Sequence, residues 1–142
     1  MTRHTGFEGD AFTRFRAIDR AGPIQMLNLV KLRDRAVYAD GRNATEGFTG
    51  AEAYRAYSHE SAPVFAAVGG RIVWSGRMEF MLIGPSEEHW DLCFIAEYPE
   101  AEAFVTMIKD LAYRAAIAHR QAAVDTSRLI RMEPGKASGG FG

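Results

Sequence analysis

Apolar and polar residues along the chain alternate between the spacing of strands and the spacing of helices. Residues 24–32 (IQMLNLVKL) are apolar on both strand faces, which is typical of a central strand that is covered on both sides. Strand-forming residues also dominate 71–84, 90–98 and 127–132. The Ser75-Gly76 pair interrupts 71–84, which indicates either one long kinked strand or a tight hairpin.

The first long helix is predicted from Thr49 to Val68. Thr49 and Glu52 have the spacing of a capping box, in which two side chains bind the free amides at a helix start. Gly69 and Gly70 follow the last apolar residue, so we expect the helix to end there.

A second helical stretch is predicted from Pro99 to about Val124, and its apolar side changes direction half-way. The apolar residues before Lys109 lie on one side, whereas those after it, together with Arg120, lie on nearly the opposite side. A straight helix cannot present both sides to one core. We therefore predict a break at Lys109-Asp110, with Asp110 capping the second helix.

These elements predict an α+β domain at 23–133 with the order βαββαβ, an antiparallel sheet and helices on one face. Residues 1–22 are predicted to form an N-terminal helical extension, with Asp10 as a candidate N-cap. Residues 134–142 (PGKASGGFG) have the composition of a disordered tail.

Composition and charge narrow the range of partners. The 142 residues include 17 Lys and Arg against 18 Asp and Glu, and a net charge of -1 offers no basic surface to nucleic acid or an anionic membrane. The single cysteine, Cys93, excludes an internal disulfide, and no apolar run approaches the roughly 20 residues of a membrane helix. The polar N-terminus lacks the pattern of a signal peptide. We expect a cytoplasmic protein that binds neither nucleic acid nor membrane.

Ser58, His59 and Glu60 are adjacent in the predicted helix and raise the question of a catalytic relay. Consecutive helical residues point in different directions, so these side chains cannot face one another. The relay is excluded, and His59 and Glu60 are interpreted as part of the solvated side of the helix.

The inward side of the same helix carries hydroxyl groups where leucines would pack better. Tyr54, Tyr57, Ser58 and Ser61 share the stripe that faces the core. Buried hydroxyl groups need hydrogen-bond partners, so these side chains either satisfy one another or line a cavity. Tyr54, Tyr57 and Ser61 are therefore candidate ligand-binding residues.

Four further residues are candidates for a site. Asn28 stands between two leucines of a predicted strand, where a carboxamide serves either the structure or a ligand. Arg120 lies on the inward side of the last helix and either pairs with Glu97 or binds a ligand carboxylate or enolate. Trp74 either packs in the core or lines the same pocket.

Signals for metals and cofactors are weak. The four histidines are scattered, and the cluster at 87–91 (EEHWD) is only a weak indication of a cation site. A haem needs an axial ligand on an inward face, and His59 and His119 are both predicted to point elsewhere. No nucleotide-binding motif is present, so we expect neither a metal nor a cofactor.

Several stretches over about 23–133 resemble the family catalogued as domain of unknown function 1330. The most specific are the Tyr-x-x-Tyr helix that leads to Gly-Gly-Arg (54–71), the step from Glu97 to Pro99, and the helix from Tyr113 to Arg120. The resemblance implies a ferredoxin-like fold that pairs into a dimeric α+β barrel. That superfamily includes cofactor-free monooxygenases and haem-degrading enzymes. The chain departs from the family pattern in its N-terminal helix and in the loop 33–48. This loop either covers a pocket or fills space in a dimer interface.

Two classes of function remain open. In the enzyme hypothesis, a monooxygenase- or isomerase-like protein acts without a cofactor on a small aromatic or enolisable carboxylate. Arg120 would stabilise an oxyanion, Asn28 and Tyr57 would orient the substrate, and Glu97 would be the base. In the alternative, the same residues bind a metabolite without chemistry or form only a polar core. Both hypotheses include a homodimer, because strands that are apolar on both faces need a partner sheet as cover.

Overall fold

The computed structural model describes residues 2–41 and 47–141, and its elements follow the predicted order after one N-terminal helix. The predicted loop 33–48 therefore lies partly outside the described residues. The helices are α1 (Ala11–Ala17), α2 (Gly50–Ala67), α3 (Ala101–Lys109) and α4 (Leu111–Ala123). The strands are β1 (Ile24–Leu32), β2 (Arg71–Gly76), β3 (Leu92–Tyr98) and β4 (Val124–Met132).

The four strands form one antiparallel sheet in the order β2-β3-β1-β4. The central strand β1 pairs with β3 on one side and with β4 on the other. With two helical connections, this order is that of a ferredoxin-like α+β fold. The predicted fold class is confirmed.

The two faces of the sheet have different surroundings. The inner face lies under α2, α3 and α4, and its core residues include Ile24, Met26, Ala96 and Tyr98. The opposite, outer face has no helix over it within the described residues. Its apolar side chains are half-buried or exposed, and they are Leu27, Leu29, Cys93, Ile95, Trp74 and Ile130.

The start and end of α2 follow from local chemistry. The Thr49 hydroxyl accepts a hydrogen bond from the Glu52 amide, and the Glu52 carboxylate accepts one from the Thr49 amide, each at 3.0 Å. The predicted capping box is confirmed. Gly69 follows the helix with φ of 83°, a conformation that glycine adopts without steric cost.

The predicted break between the last two helices is also confirmed. The Asp110 carboxylate accepts hydrogen bonds from the amides of Ala112 at 2.8 Å and Tyr113 at 3.3 Å. The cap begins α4 immediately after α3 ends at Lys109. Because of the break, α3 and α4 each turn their own apolar side toward the sheet.

Three boundary predictions are wrong. The strand from 71 ends at Gly76 instead of reaching 84, because β3 begins at Leu92 and offers no pairing partner beyond Cys93. The helix after Pro99 begins at Ala101, with Glu100 as N-cap. The last strand, β4, begins at Val124, three residues before the predicted 127. Asp10 holds the predicted N-cap position of α1, but its side chain makes no capping hydrogen bond.

The N-terminal segment, residues 2–8, lies along the edge strand β4. The Ser127 amide donates to the His4 carbonyl at 2.8 Å, and Arg3 pairs with Asp125 at 2.6 Å. These contacts place the segment at one end of the inner face. No helix of the described residues has the length and apolar character that crossing a membrane requires.

Candidate functional site

A cleft of about 1710 Å³ lies between the inner face of the sheet and the helices. Residues of the N-terminal segment and of α1 close part of its opening. Five of the six predicted ligand-binding residues line this one cleft. They are Arg120, Asn28, Tyr54, Tyr57 and Ser61.

Arg120 extends from α4 into the cleft and is half-buried. Its guanidinium donates to the Thr5 carbonyl at 3.2 Å and to the Ser127 hydroxyl at 3.3 Å. Neither acceptor carries a charge, and within residues 2–41 and 47–141 no carboxylate lies at ion-pair distance from Arg120. The guanidinium is therefore held in place without being neutralised.

Three tyrosines form the wall beside Arg120. The hydroxyl groups of Tyr57 on α2 and Tyr113 on α4 are joined by a hydrogen bond of 2.7 Å. The ring of Tyr57 packs edge-on against Tyr54, with 5.3 Å between the ring centroids, and against Tyr113 at 6.0 Å. The inward hydroxyls predicted on α2 thus bind one another in part and also line a cavity.

The surroundings of these phenols keep them protonated at neutral pH. Burial raises the pKa of Tyr54 to about 12, although the positive charge of Arg120 opposes the shift. Burial raises the pKa of Tyr57 above its usual value as well, and the neighbouring Tyr113 adds to the shift. The pKa of Tyr113 is also raised by burial. All three phenols are therefore hydrogen-bond donors under physiological conditions.

Asn28 faces the cleft from the middle of β1, on the same side as the core residue Met26. Its side-chain amide donates to the Met26 carbonyl at 3.0 Å, and this is its only side-chain hydrogen bond to the described residues. Ser61 is buried on α2, where its hydroxyl donates to the Ser58 carbonyl at a long 3.5 Å. Both residues keep hydrogen-bonding capacity that their own contacts do not use.

Positive charges outnumber negative charges around the cleft. Among the described residues that line it, seven are arginines, three carry carboxylates and none is lysine. The chain as a whole has a net charge of -1, so the excess of positive charge is local. A cleft lined mainly by one sign of charge concentrates ions of the opposite sign. The seven arginines are Arg33, Arg55, Arg77, Arg114, Arg120, Arg128 and Arg131.

The predicted pair between Arg120 and Glu97 is wrong. Glu97 lies on the outer face, where it accepts hydrogen bonds from Arg71 at 2.7 Å and from Gln25 at 2.8 Å. These hydrogen bonds, first that from Gln25, hold the pKa of Glu97 below its usual value. The sheet separates the two residues, so Glu97 cannot act as a base on a molecule bound beside Arg120.

Trp74 lies outside the cleft. The pairing of β2 with β3 shifts by one residue between Ile72 and Trp74, so Ile72 faces the cleft whereas Trp74 faces outward. Half of the Trp74 surface is exposed, and its predicted packing in the core is wrong as well.

Several cleft residues were not among the predicted ligand-binding positions. Tyr113 completes the phenol pair, Ser127 binds Arg120, and Arg131 lines the far end. The helical spacing already places Tyr113 beside Arg120, so that signal was present in the sequence. For Ser127 and Arg131 the only signal is alternation along β4, which does not show which face is inward.

His4 and His89 line the cleft, whereas His59 and His119 do not. His119 contacts the Tyr38 hydroxyl at 2.7 Å and the Glu60 carboxylate at 2.8 Å, and His59 is exposed. In the cluster at 87–91, His89 lies 3.3 Å from Asp91. The described part of the chain holds no group of three or more His, Cys, Asp or Glu side chains arranged for a metal ion.

Comparison with solved structures gives several similar chains, three of which follow. The methylated RPA0582 protein is 58% identical, with 96% of this chain and 98% of that chain covered and a TM-score of 0.90. RPA0582, a protein of unknown function from Rhodopseudomonas palustris, is 57% identical over 96% of this chain and 100% of that chain, with a TM-score of 0.89. A dimeric protein of unknown function with a ferredoxin-like fold from Bacteroides fragilis is 14% identical over 78% of this chain and 95% of that chain, with a TM-score of 0.48.

Comparison with protein families gives one match, and none of the curated proteins matches the chain. Residues 44–133 match the family described as domain of unknown function (DUF1330). The match includes α2, α3, α4 and three of the four strands, and with them the phenol pair and Arg120. It begins later than the predicted 23, after β1. Since it extends over more than half of the sequence, the chain belongs to the DUF1330 family.

Proposed function

We propose that the protein binds a small organic anion in the cleft, with a carboxylate or enolate beside Arg120 and an aromatic or apolar body under the helices. The observation that carries the proposal is the state of Arg120. It is half-buried and donates only to neutral acceptors of the described residues. A guanidinium forms its strongest hydrogen bonds with an anionic acceptor, and none of the described residues supplies one to Arg120.

The groups around Arg120 suit the rest of such a ligand. The Tyr57 and Tyr113 hydroxyls are protonated donors, and Asn28 offers both a donor and an acceptor from the strand opposite them. Phe65 and Phe104 supply an apolar wall deeper in the cleft. Few polar groups in a mainly apolar cavity are typical of small-molecule sites, where they orient the ligand.

An isomerase-like reaction on an enolisable carboxylate is a second candidate function. The hydrogen-bonded pair of Tyr57 and Tyr113 favours it, because the phenol that accepts within the pair keeps its own proton and, beside a guanidinium, would donate it to an enolate oxygen. Glu97 has no part in this proposal, since it lies on the outer face. Proton abstraction would need another base, so binding without chemistry is the simpler proposal.

The binding proposal is tested by thermal unfolding in the presence of small carboxylates and phenols. Some aromatic carboxylates are expected to raise the Tm of the wild type, because a ligand that binds only the folded state stabilises it. Arg120→Gln is expected to abolish the rise. Arg14→Gln, on the exposed side of α1, is the matched control and should retain it. An equal rise in Arg120→Gln would contradict the proposal.

We also propose that two copies of the chain associate through the outer face. Trp74 is 50% exposed and Ile130 is 45% exposed, and half-buried Leu27, Leu29 and Ile95 lie between them on the sheet. The segment after β2 adds three strongly exposed apolar side chains, Phe80, Leu82 and Ile83. A contiguous apolar surface of this kind is typical of an interface, and a second sheet of the same shape would cover it.

A further inference from the structure

A second arginine reaches the inner face at the other end of the cleft. Arg131 lies on β4 opposite Met26, and Ser127, Leu129 and Arg131 alternate along the inner side of that strand. Ser127 is the residue that binds Arg120. Arg131 follows Ser127 by four positions along β4, which is roughly 13 Å along the sheet.

The guanidinium of Arg131 is only partly satisfied. One terminal nitrogen, Nη1, donates to the Phe15 carbonyl at 3.0 Å, and the group lies 4.8 Å from the centroid of the Phe15 ring. The other terminal nitrogen, Nη2, is buried and has no hydrogen-bond partner among the described residues. A buried donor without a partner costs free energy, so native proteins rarely retain one without a reason.

Arg131 also has no counter-ion among residues 2–41 and 47–141. The nearby Glu133 pairs with Arg20 instead, at 3.5 Å. Burial lowers the pKa of Arg131 below its usual value, and the positive charge of Arg20 lowers it further. Arg131 therefore repeats the arrangement of Arg120, which likewise donates to a main-chain carbonyl of the N-terminal region and lacks a carboxylate partner.

We propose that Arg131 forms a second anion subsite and that the cleft therefore prefers ligands with an anionic group at each end of an apolar body. This inference rests on the proposed function at Arg120. One carboxylate would bind Arg120 near the phenol pair, and the other would accept the free Nη2 donor of Arg131. Leu129, which lies between the two arginines on the sheet, and Met26, which lies opposite Arg131, would contact the apolar body.

The proposal is tested by calorimetric titration with acids of matched length. Suberate and sebacate are compared with octanoate and decanoate, which have the same number of carbon atoms and only one carboxylate. The monocarboxylates are the more apolar molecules, so the hydrophobic effect alone favours them. We expect at least one dicarboxylate to bind the wild type roughly tenfold more tightly than its matched monocarboxylate. A dicarboxylate advantage that is absent at every length would overturn the second subsite.

Variants assign that advantage to Arg131. Arg131→Met, which keeps an apolar contact with Phe15, is expected to bind both acids with equal affinity. Arg131→Lys is expected to retain part of the preference, because it keeps the positive charge. A preference that persists in a folded Arg131→Met would overturn the role of this residue. If monocarboxylates bind in an Arg120-dependent way without a dicarboxylate advantage, only the second subsite fails. If no acid binds, the proposed function fails with it.

Discussion

The inner face of the sheet holds polar groups within an apolar core, whereas the outer face holds apolar groups without a cover from the described residues. The inner face is covered by helices, yet it presents Asn28, Ser127 and Arg131 to the cleft. The outer face has no cover within the described residues, yet it carries Leu27, Ile95 and other apolar side chains across its middle. Polar groups under cover and apolar groups in solvent each cost folding free energy.

We infer that the two faces of the sheet have different roles. On the inner face, hydrogen-bonding capacity remains after internal contacts are counted, as expected of a surface that binds a small molecule. On the outer face, polar residues lie toward the ends of the strands: Glu97, Arg71 and Gln25 bind one another at one end. Lys31 and Thr126 lie at the other end. The centre stays apolar, as expected of a surface that binds another protein surface. A substitution on one face should therefore alter the binding property of that face and leave the other face unchanged.

The largest expected effect is on association through the outer face. Ile95→Glu places a carboxylate on β3 opposite Leu27, at the middle of that surface. We expect the dissociation constant of the dimer to rise roughly 100-fold or more, because the charge would have to be buried without a partner. Sedimentation equilibrium measures the change. Leu111→Glu is the control, since Leu111 is 79% exposed at the start of α4. An unchanged dimer in Ile95→Glu would remove the outer face from the interface.

The second largest expected effect is a loss of folding stability at alkaline pH, because the inner face lies against buried tyrosines. Below about pH 10 a phenol is protonated in both the folded and the unfolded chain, so it does not alter the free energy of unfolding. Above that pH the unfolded chain ionises, while Tyr54, with a pKa of about 12, stays neutral in the fold. Stability is therefore lost as pH rises from 10 to 12, by about 1.4 kcal/mol per pH unit for Tyr54.

Three other tyrosines add to this alkaline effect in the same direction. Burial raises the pKa of Tyr57, Tyr98 and Tyr113 as well. We expect the ultraviolet absorbance of tyrosinate to appear together with the loss of helical circular dichroism. Ionisation of these phenols near pH 10 in a chain that is still folded would show that their hydroxyl groups are accessible to water.

The phenol pair should contribute a smaller amount. Tyr57→Phe or Tyr113→Phe leaves the other hydroxyl without its 2.7 Å partner, and each should lower the free energy of unfolding by about 1 to 2 kcal/mol. The double variant should lose less than the sum of the two single losses. Urea unfolding of the four proteins measures the coupling. Strictly additive losses would show that the hydroxyls act independently.

The smallest expected effect is that of Asn28→Leu, which shows whether Asn28 serves ligand binding or folding. Asn28→Leu replaces a carboxamide that makes one hydrogen bond to its own strand, so we expect stability to rise by up to about 1 kcal/mol. The rise in Tm caused by carboxylates should shrink at the same time. Thermal unfolding with and without ligand measures both. A loss of stability would show that Asn28 serves the fold.

Helical features were predictable because the helix period fixes direction. The spacing of Tyr54, Tyr57 and Tyr113 places all three on inward sides, and the change of apolar side requires the cap at Asp110. The capping box at Thr49 is likewise a local pattern. Such features depend on near neighbours in the chain, so sequence is sufficient to predict them.

Strand features were less predictable because their direction depends on pairing. Strand β3 is apolar on both faces, so alternation did not show that Glu97 points outward. A shift in pairing after Ile72 reverses the direction of Trp74, and no local pattern predicted its position. The free donor of Arg131 depends on α1 and β4, which are distant in sequence.

A crystal structure grown with the most stabilising carboxylate would show directly whether the inner face binds an organic anion through Arg120. We expect the carboxylate to lie within hydrogen-bond distance of the Arg120 guanidinium, between the Tyr57–Tyr113 pair on the helices and Asn28 on the sheet. A carboxylate bound anywhere else on the chain, with this cleft free of it, would contradict the account.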